Sequence, residues 1–181
     1  MSLQPNDGVV LKRDVYVTII PQGEPMPLPA GTLVRVIQNL GGSYTIDVNG
    51  NWFLVHEDDH DCLGVARDPD LDTYLNADGS LADRVWLALR QCYDPEIPVN
   101  IVELGLVYHV DCYQQDQEQH VLVTMTLTSP GCGMGPVMIE TAKRKILRMP
   151  EVGQVHMDLV FDPPWDKEMM SDAAKLQLGV L

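Results

Sequence analysis

At 181 residues the chain suits one ordinary domain, or a small one joined to a modest one. Hydrophobic residues make up 45 % of it, yet no apolar run approaches the ~18 residues of a membrane span. Its 26 acidic residues against 12 basic ones give a formal charge of −14, a surface that repels phosphate backbones and argues against nucleic acid as a partner.

The start, Met1-Ser2-Leu3-Gln4-Pro5, has neither a basic n-region nor an apolar h-region, so a cytoplasmic location away from membranes is expected. Residues 9–56 read as β structure. Val15, Val17 and Ile19 alternate, Pro21 to Pro29 interrupts, and Gly31 leads into Leu33-Val34-Arg35-Val36-Ile37. Gly41-Gly42 separates that run from Tyr44-Thr45-Ile46-Asp47-Val48. Asn49-Gly50 is a tight-hairpin signal, because both residues tolerate positive φ, and Trp52-Phe53-Leu54-Val55 supplies the return strand. About four short strands without a helix predict a small all-β module over residues 1–66. Residues 67–79 are rich in Asp with few apolar anchors and read as a linker.

From Ser80 the pattern changes. Leu81, Val85, Ala88, Leu89 and Cys92 share a helical face, with Ser80 and Asp83 spaced as a capping box, and Asp94-Pro95 stops the helix. Leu106, Tyr108, Val110 and Cys112 alternate as a strand, and Gln114 to Gln119 reads as its hairpin loop. Val121, Val123, Met125 and Leu127 form the return strand, with Thr124, Thr126 and Thr128 on the other face. Ile139, Ala142, Ile146 and Met149 give a second helical stripe, and Val155, Met157, Leu159 and Phe161 a third strand. After the stiff turn Asp162-Pro163-Pro164-Trp165-Asp166, a last helix through Ala173 and Leu176 closes at Gly179. The order α-β-β-α-β-α over residues 80–181 predicts an α+β fold, a two-layer sandwich with helices on one side of a small mixed sheet.

Four cysteines, Cys62, Cys92, Cys112 and Cys132, are spread without a C-x-x-C pair, which argues against a zinc ribbon or a self-contained cluster-binding run. In a reducing compartment they are expected as free thiols. Cys92 and Cys112 fall on apolar patterns and read as core. Cys132 differs. It sits in Thr128-Ser129-Pro130-Gly131-Cys132-Gly133-Met134-Gly135-Pro136, between two glycines that leave its sulfur unshielded. Pro136 suits a first helical position, which would set the thiol near the positive end of a helix. A helix terminus is worth about 0.3–1 kcal/mol, under one pKa unit, so an activated Cys132 needs further help from amides, a cation or a metal. An inert turn is the rival reading of the loop. A hydrolase elbow is excluded because its glycines lie two residues either side of the nucleophile, and here Pro130 and Met134 hold those positions. Gly131-x-Gly133-x-Gly135 also lacks the final spacing of a dinucleotide fingerprint, and no phosphate-binding loop appears, so no nucleotide cofactor is expected.

Asp94-Pro95-Glu96-Ile97-Pro98 reads either as a rigid solvated turn or as an oxygen-rich rim over the sheet. His56, His60, His109, His120 and His156 form no metal-ligand spacing, although a Cys132–His109 or Cys132–His156 pair could assemble in space.

Four ordered blocks together resemble the SufT family of iron–sulfur assembly proteins, within the wider PaaD-like, metal–sulfur cluster biosynthesis domain superfamily. They are Asp94-Pro95-Glu96-Ile97-Pro98-Val99-Asn100-Ile101-Val102-Glu103-Leu104-Gly105-Leu106-Val107-Tyr108, the run from Thr124 to Gly135, Phe161-Asp162-Pro163-Pro164-Trp165-Asp166, and Met169-Met170-Ser171-Asp172-Ala173-Ala174-Lys175-Leu176. Leu40-Gly41-Gly42-Ser43-Tyr44-Thr45 and the Arg13-Asp14 region resemble the N-terminal extension of that family. Asp59-His60-Asp61-Cys62-Leu63-Gly64 departs from it, so Cys62 gains no support as a functional thiol.

The resemblance implies a non-enzymatic accessory factor of iron–sulfur cluster assembly, working with the assembly machinery and client apoproteins. It puts the family's characteristic thiol at Cys132, with Asp94, Glu96 and Glu103 in the signature loops. Because a cluster takes four protein ligands, Cys132 alone cannot house one, and transient ligation of a cluster or of iron would be shared with a donor, a client or a second copy in a homodimer. A cluster-free adaptor gripping clients through its Pro-rich and acidic rims, and a thiol enzyme with Cys132 as nucleophile, are the alternatives.

Overall fold

Residues 3–180 are described by a computed structural model, so Met1, Ser2 and Leu181, the ends of the two expected domains, lie outside the described residues. The chain divides into two compact units, one ending at Leu71 and one beginning at Asp72.

The first unit is a six-stranded antiparallel sheet of β1 (Gly8–Val10), β2 (Val15–Ile19), β3 (Pro25–Leu28), β4 (Leu33–Leu40), β5 (Ser43–Val48) and β6 (Asn51–Val55). The strands run in the order β1-β4-β5-β6-β2-β3. Alternation sends Val15, Val17, Val34, Val36, Ile46, Phe53 and Val55 into one buried cluster. Asn49 (φ 53) and Gly50 (φ 85) make the two-residue turn between β5 and β6. Pro21 to Pro29, expected to interrupt the sheet, instead contains β3. It pairs with β2 only and ends the sheet, the position where prolines without an N–H are tolerated. Glu57–Leu63 forms a 3-10 helix closed by Gly64 at φ 75.

In the second unit, α1 (Leu81–Leu89) starts at a complete capping box: the Ser80 hydroxyl accepts from the Asp83 N–H while the Asp83 carboxylate accepts from the Ser80 N–H. The helix ends before Cys92, earlier than its stripe suggests. A short hairpin of β7 (Tyr93–Asp94) and β8 (Ile97–Asn100) then folds around Pro95 and Glu96. Next come β9 (Val107–Gln115), β10 (Glu118–Met125), α2 (Gly135–Leu147), β11 (Val152–Leu159) and α3 (Asp172–Leu178), with Gly179 (φ 68) as the left-handed cap of α3. The unit is α+β. Pro136 occupies the second rather than the first helical position of α2, since Met134 is its N-cap.

The expected hairpin loop from Gln114 to Gln119 contracts to Asp116 and Gln117, both at positive φ (52 and 70), because the ladder between β9 and β10 continues to Gln115 and Glu118. β10 pairs with β9 antiparallel and with β11 parallel, with α2 as the crossover. Val121, Val123 and Met125 of β10 share a buried cluster with Val85, Ala88 and Leu89 of α1 and Met138, Ala142 and Ile146 of α2. Each buried Val, Leu, Ile or Met side chain among them contributes about 1.5–3 kcal/mol relative to exposure. Just past the end of β10, Thr126 is fully buried rather than on the outer face, and its hydroxyl oxygen has no hydrogen-bond partner among the described residues.

Pro69–Asn76, inside the segment read as linker, is a 3-10 helix. Tyr74 is 1 % exposed in the second unit's core, and its hydroxyl donates to the Lys145 carbonyl at 2.9 Å. Among the described residues no helix is long and apolar enough to cross a membrane.

Candidate functional site

The ladder fixes which loops share an end of the sheet. Met125, the last residue of β10, pairs with Val107 at the start of β9 and with Leu159 at the end of β11. The Cys132 loop leaves β10, the 161–166 turn leaves β11 and the 101–106 loop enters β9, so all three emerge together. Parallel pairing of β10 with β11 is what makes two successive exits coincide.

Hydrogen bonds then knit these loops. Trp165 Nε1–H donates to the Leu104 carbonyl at 2.8 Å, and the Tyr108 hydroxyl to that of Pro163 at 2.9 Å. The Ser171 N–H donates to the Glu103 carbonyl at 2.9 Å, and Gln177 Nε2–H to that of Pro98 at 2.7 Å. Gly105 lies at φ +74, and a Cβ there would run into the carbonyl of Met169. The Trp165 indole therefore serves the fold, packed against the core cluster while its N–H satisfies a loop carbonyl.

Cys132 is half-buried and packs on that cluster from the loop before α2. Its N–H donates to the Ser129 carbonyl (3.1 Å), and its own carbonyl accepts from Gly135 N–H (3.1 Å), a pair of tight turns that present the thiol. A Cβ at Gly135 would meet Leu127 Cδ1 at 2.5 Å, so that side chain would have to shift to admit one. Gly131 is different: a Cβ there would meet nothing within 4 Å. The chain's own packing gives no reason for glycine at 131.

The carboxylates have separate situations. Asp94 is 3 % exposed, and its Oδ1 accepts from the Glu96 N–H at 2.8 Å, fixing the turn between β7 and β8. Burial pushes its pKa up, against the pull of the N–H groups of Glu96 and Ile97. Glu96 itself is exposed on that turn. Glu103 is held below the usual carboxylate range by the Ser171 hydroxyl first and then by Arg90, with which it forms an ion pair. Its N–H and that of Val102 donate to Asn100 Oδ1 at 2.9 and 3.1 Å. The loop order thus brings Glu103 and Cys132 to one sheet end, while Asp94 and Glu96 lie in the hairpin feeding the 101–106 loop. Ser171 escaped attention in the sequence. Its signal is a serine before Asp172 in a helix's first turn, an N-cap whose hydroxyl accepts from Ala174 N–H at 3.1 Å.

An Asp94→Asn variant tests the buried carboxyl. A pKa raised on folding means that the group's stabilising contribution is complete below the ordinary Asp value of about 3.9 and is lost as pH rises through the folded value. Asparagine keeps the acceptor oxygen without the charge. Urea unfolding from about pH 4 to 7 should therefore show wild type losing stability relative to Asp94→Asn as pH rises. Parallel curves would refute the assignment.

The remaining thiols are less available. Cys62 is buried and pushed up to about 11 by desolvation. Cys92 is buried, with its S–H directed at the Ala88 carbonyl, and burial also raises Cys112. His109 and His156 are exposed on the sheet face opposite Val121 and Val123, opposite Thr124 and Leu122 in the ladder, and no side chain among the described residues hydrogen-bonds to the Cys132 sulfur. Neither histidine is paired with it. Among the described residues no group of three or more His, Cys, Asp or Glu side chains is placed to hold a metal ion.

Residues 82–157 match the iron–sulfur cluster assembly protein family. The chain is 47 % identical over 93 residues to the Fe-S protein maturation auxiliary factor of Porphyromonas gingivalis, covering 51 % of this chain and 86 % of that one. It is 47 % identical over 87 residues to the Fe-S protein maturation auxiliary factor SufT of Staphylococcus aureus, covering 48 % of this chain and 96 % of that one. A crystal structure of a domain of unknown function, DUF59, from Bacillus anthracis is similar at 36 % identity and a TM-score of 0.49, over 56 % of this chain and 93 % of that one.

Proposed function

The chain belongs to the iron–sulfur cluster assembly protein family, and from this we propose that it is an accessory factor in iron–sulfur protein maturation whose Cys132 ligates a cluster or iron transiently, sharing it with a partner. The observation that carries this reading is the presented thiol. Cys132 is held in tight turns at a loop-built sheet end, and among the described residues no group of three or more His, Cys, Asp or Glu side chains is placed to hold a metal ion. One thiolate is too few for a stable cluster, which takes four protein ligands, and enough for one handed between proteins. The cluster is cargo here, not a resident cofactor.

We read the unit as a two-layer sandwich with the thiol at its rim, working in the cytoplasm with the assembly machinery, client apoproteins or a second copy. Its own residues do the positioning. Ser129 and Gly135 fix the loop backbone, and the Asp94 turn and the Glu103–Ser171–Arg90 tie keep the neighbouring loops rigid. Open space at Gly131 supports close approach by a partner's backbone or sulfur.

Anaerobic reconstitution with a client apoprotein tests the proposal. Cys132→Ala should fold normally and lose cluster transfer by at least about tenfold, in line with removal of a metal ligand. Gly131→Ala should leave the melting temperature unchanged while slowing transfer. Equal transfer by wild type and Cys132→Ala would sink the reading, and client capture that survives alongside it would support the cluster-free adaptor.

A further inference from the structure

The first unit carries a cleft of about 420 Å³, within the size range of ligand sites, lined by Arg13, Asp14, Val15, Tyr16, Pro27 and Asp59. We infer that this cleft docks an arginine-bearing segment of a partner protein.

Three features point to that occupant. Tyr16 is 69 % exposed, although its neighbours Val15 and Val17 on β2 are buried, and it pairs with Pro27 across the ladder between β2 and β3. An aromatic ring standing open beside a proline offers a face on which a planar cation stacks. The cleft's own cation is spent. Arg13 Nε–H and Nη2–H donate to both oxygens of Asp61 (2.7 and 2.6 Å), Nη2–H to Asp59 (2.8 Å) and Nη1–H to the Asp14 carbonyl (3.0 Å). Arg13 is thus a bracket that holds carboxylates in place rather than a receptor for anions. The Asp14 carboxylate is fixed as well, accepting the Ala30 N–H at 2.8 Å. Among the lining residues, the carboxylates of Asp14 and Asp59 against one guanidinium leave a charge of −1, and Asp61, bound to that guanidinium, adds a further negative charge next to the cleft.

A pre-set negative cleft with an aromatic wall complements a cation. A guanidinium fits better than an ammonium, because it stacks flat on the ring while its fork meets a carboxylate. The cleft is an open trough beside β3, the end strand of the sheet, where Met26 is also exposed. Such a trough suits a chain segment laid across it better than a small molecule that needs enclosure. This assignment gives the N-terminal unit a recruiting role and does not depend on Cys132.

The test is an NMR titration of the full chain with the capped tripeptide Ala-Arg-Ala, compared with Ala-Lys-Ala and Ala-Glu-Ala. Expected are saturating shifts confined to Asp14, Val15, Tyr16 and Asp59, weaker with lysine and missing with glutamate. Tyr16→Ala should weaken binding about 2–5-fold, the size of an exposed cation–ring contact, while Tyr16→Phe retains it. Cys132→Ala should bind the arginine probe as wild type does, which separates this site from the cluster reading. Dispersed or non-saturating shifts, equal response to the glutamate probe, or unchanged binding by Tyr16→Ala would each overturn the assignment.

Discussion

Gly105→Ala is expected to destabilise the second unit by about 3 kcal/mol, near 10 °C in melting temperature. Two causes add. A residue with a Cβ at φ +74 is strained by about 1–2 kcal/mol. The new methyl also meets the backbone of Met169 rather than a mobile side-chain tip. To relieve the overlap, the 167–171 stretch must retreat, which strains the Ser171 N–H bond to Glu103 and the Tyr108 contact with the Met169 sulfur. Thermal unfolding of Gly105→Ala beside Gly131→Ala checks this. The first should melt far below wild type and the second with it; equal shifts would mean that the 105–169 contact does not bind the loops together.

Tyr74→Ala is expected to lower stability by about 3–5 kcal/mol, the range for emptying an aromatic site in a core. Tyr74→Phe separates the ring from the hydroxyl. The Lys145 carbonyl also accepts from the Arg148 N–H at 3.2 Å, so it is not orphaned when the phenol is lost. The Phe variant should therefore lose only about 0.5–1 kcal/mol. Chemical denaturation of both variants checks the split. Similar losses would place the anchoring in the hydrogen bond, and a small loss for alanine would make the segment a passive connection after all.

These two positions also mark where the sequence was readable. Local chemistry was legible when one or two residues carried it: Ser80 with Asp83 as a capping box, Asn49-Gly50 as a turn, Gly179 as a helix end. The three main strands of the second unit were legible because one face is buried and period 2 survives. Other features failed for identifiable reasons. β3 contains two prolines and forms only because it ends the sheet. Gln117 takes positive φ without being a residue that usually does, so the hairpin turn looked longer than it is. Tyr74 is one aromatic among aspartates, and its burial depends on a helix 71 residues away in sequence. The site divides in the same way. Cys132 stood out through its flanking glycines, whereas the roles of Asp94 and Glu103 required knowing which N–H groups, hydroxyls and guanidinium reach them. The Arg13 bracket joins residues 46 and 48 positions apart, a pairing that no local pattern contains.

The ties from Ser171 and Gln177 back to Glu103 and Pro98 have a consequence for the order of events during synthesis. A ribosome delivers the thiol loop well before it delivers those two residues. Until then the 98–105 loops lack their closing bonds, and the Cys132 end of the sheet is unfinished. The rim that presents the thiol is thus closed only after Ser171 and Gln177 have emerged, so a chain interrupted before them carries the cysteine without the bonds that complete its surroundings.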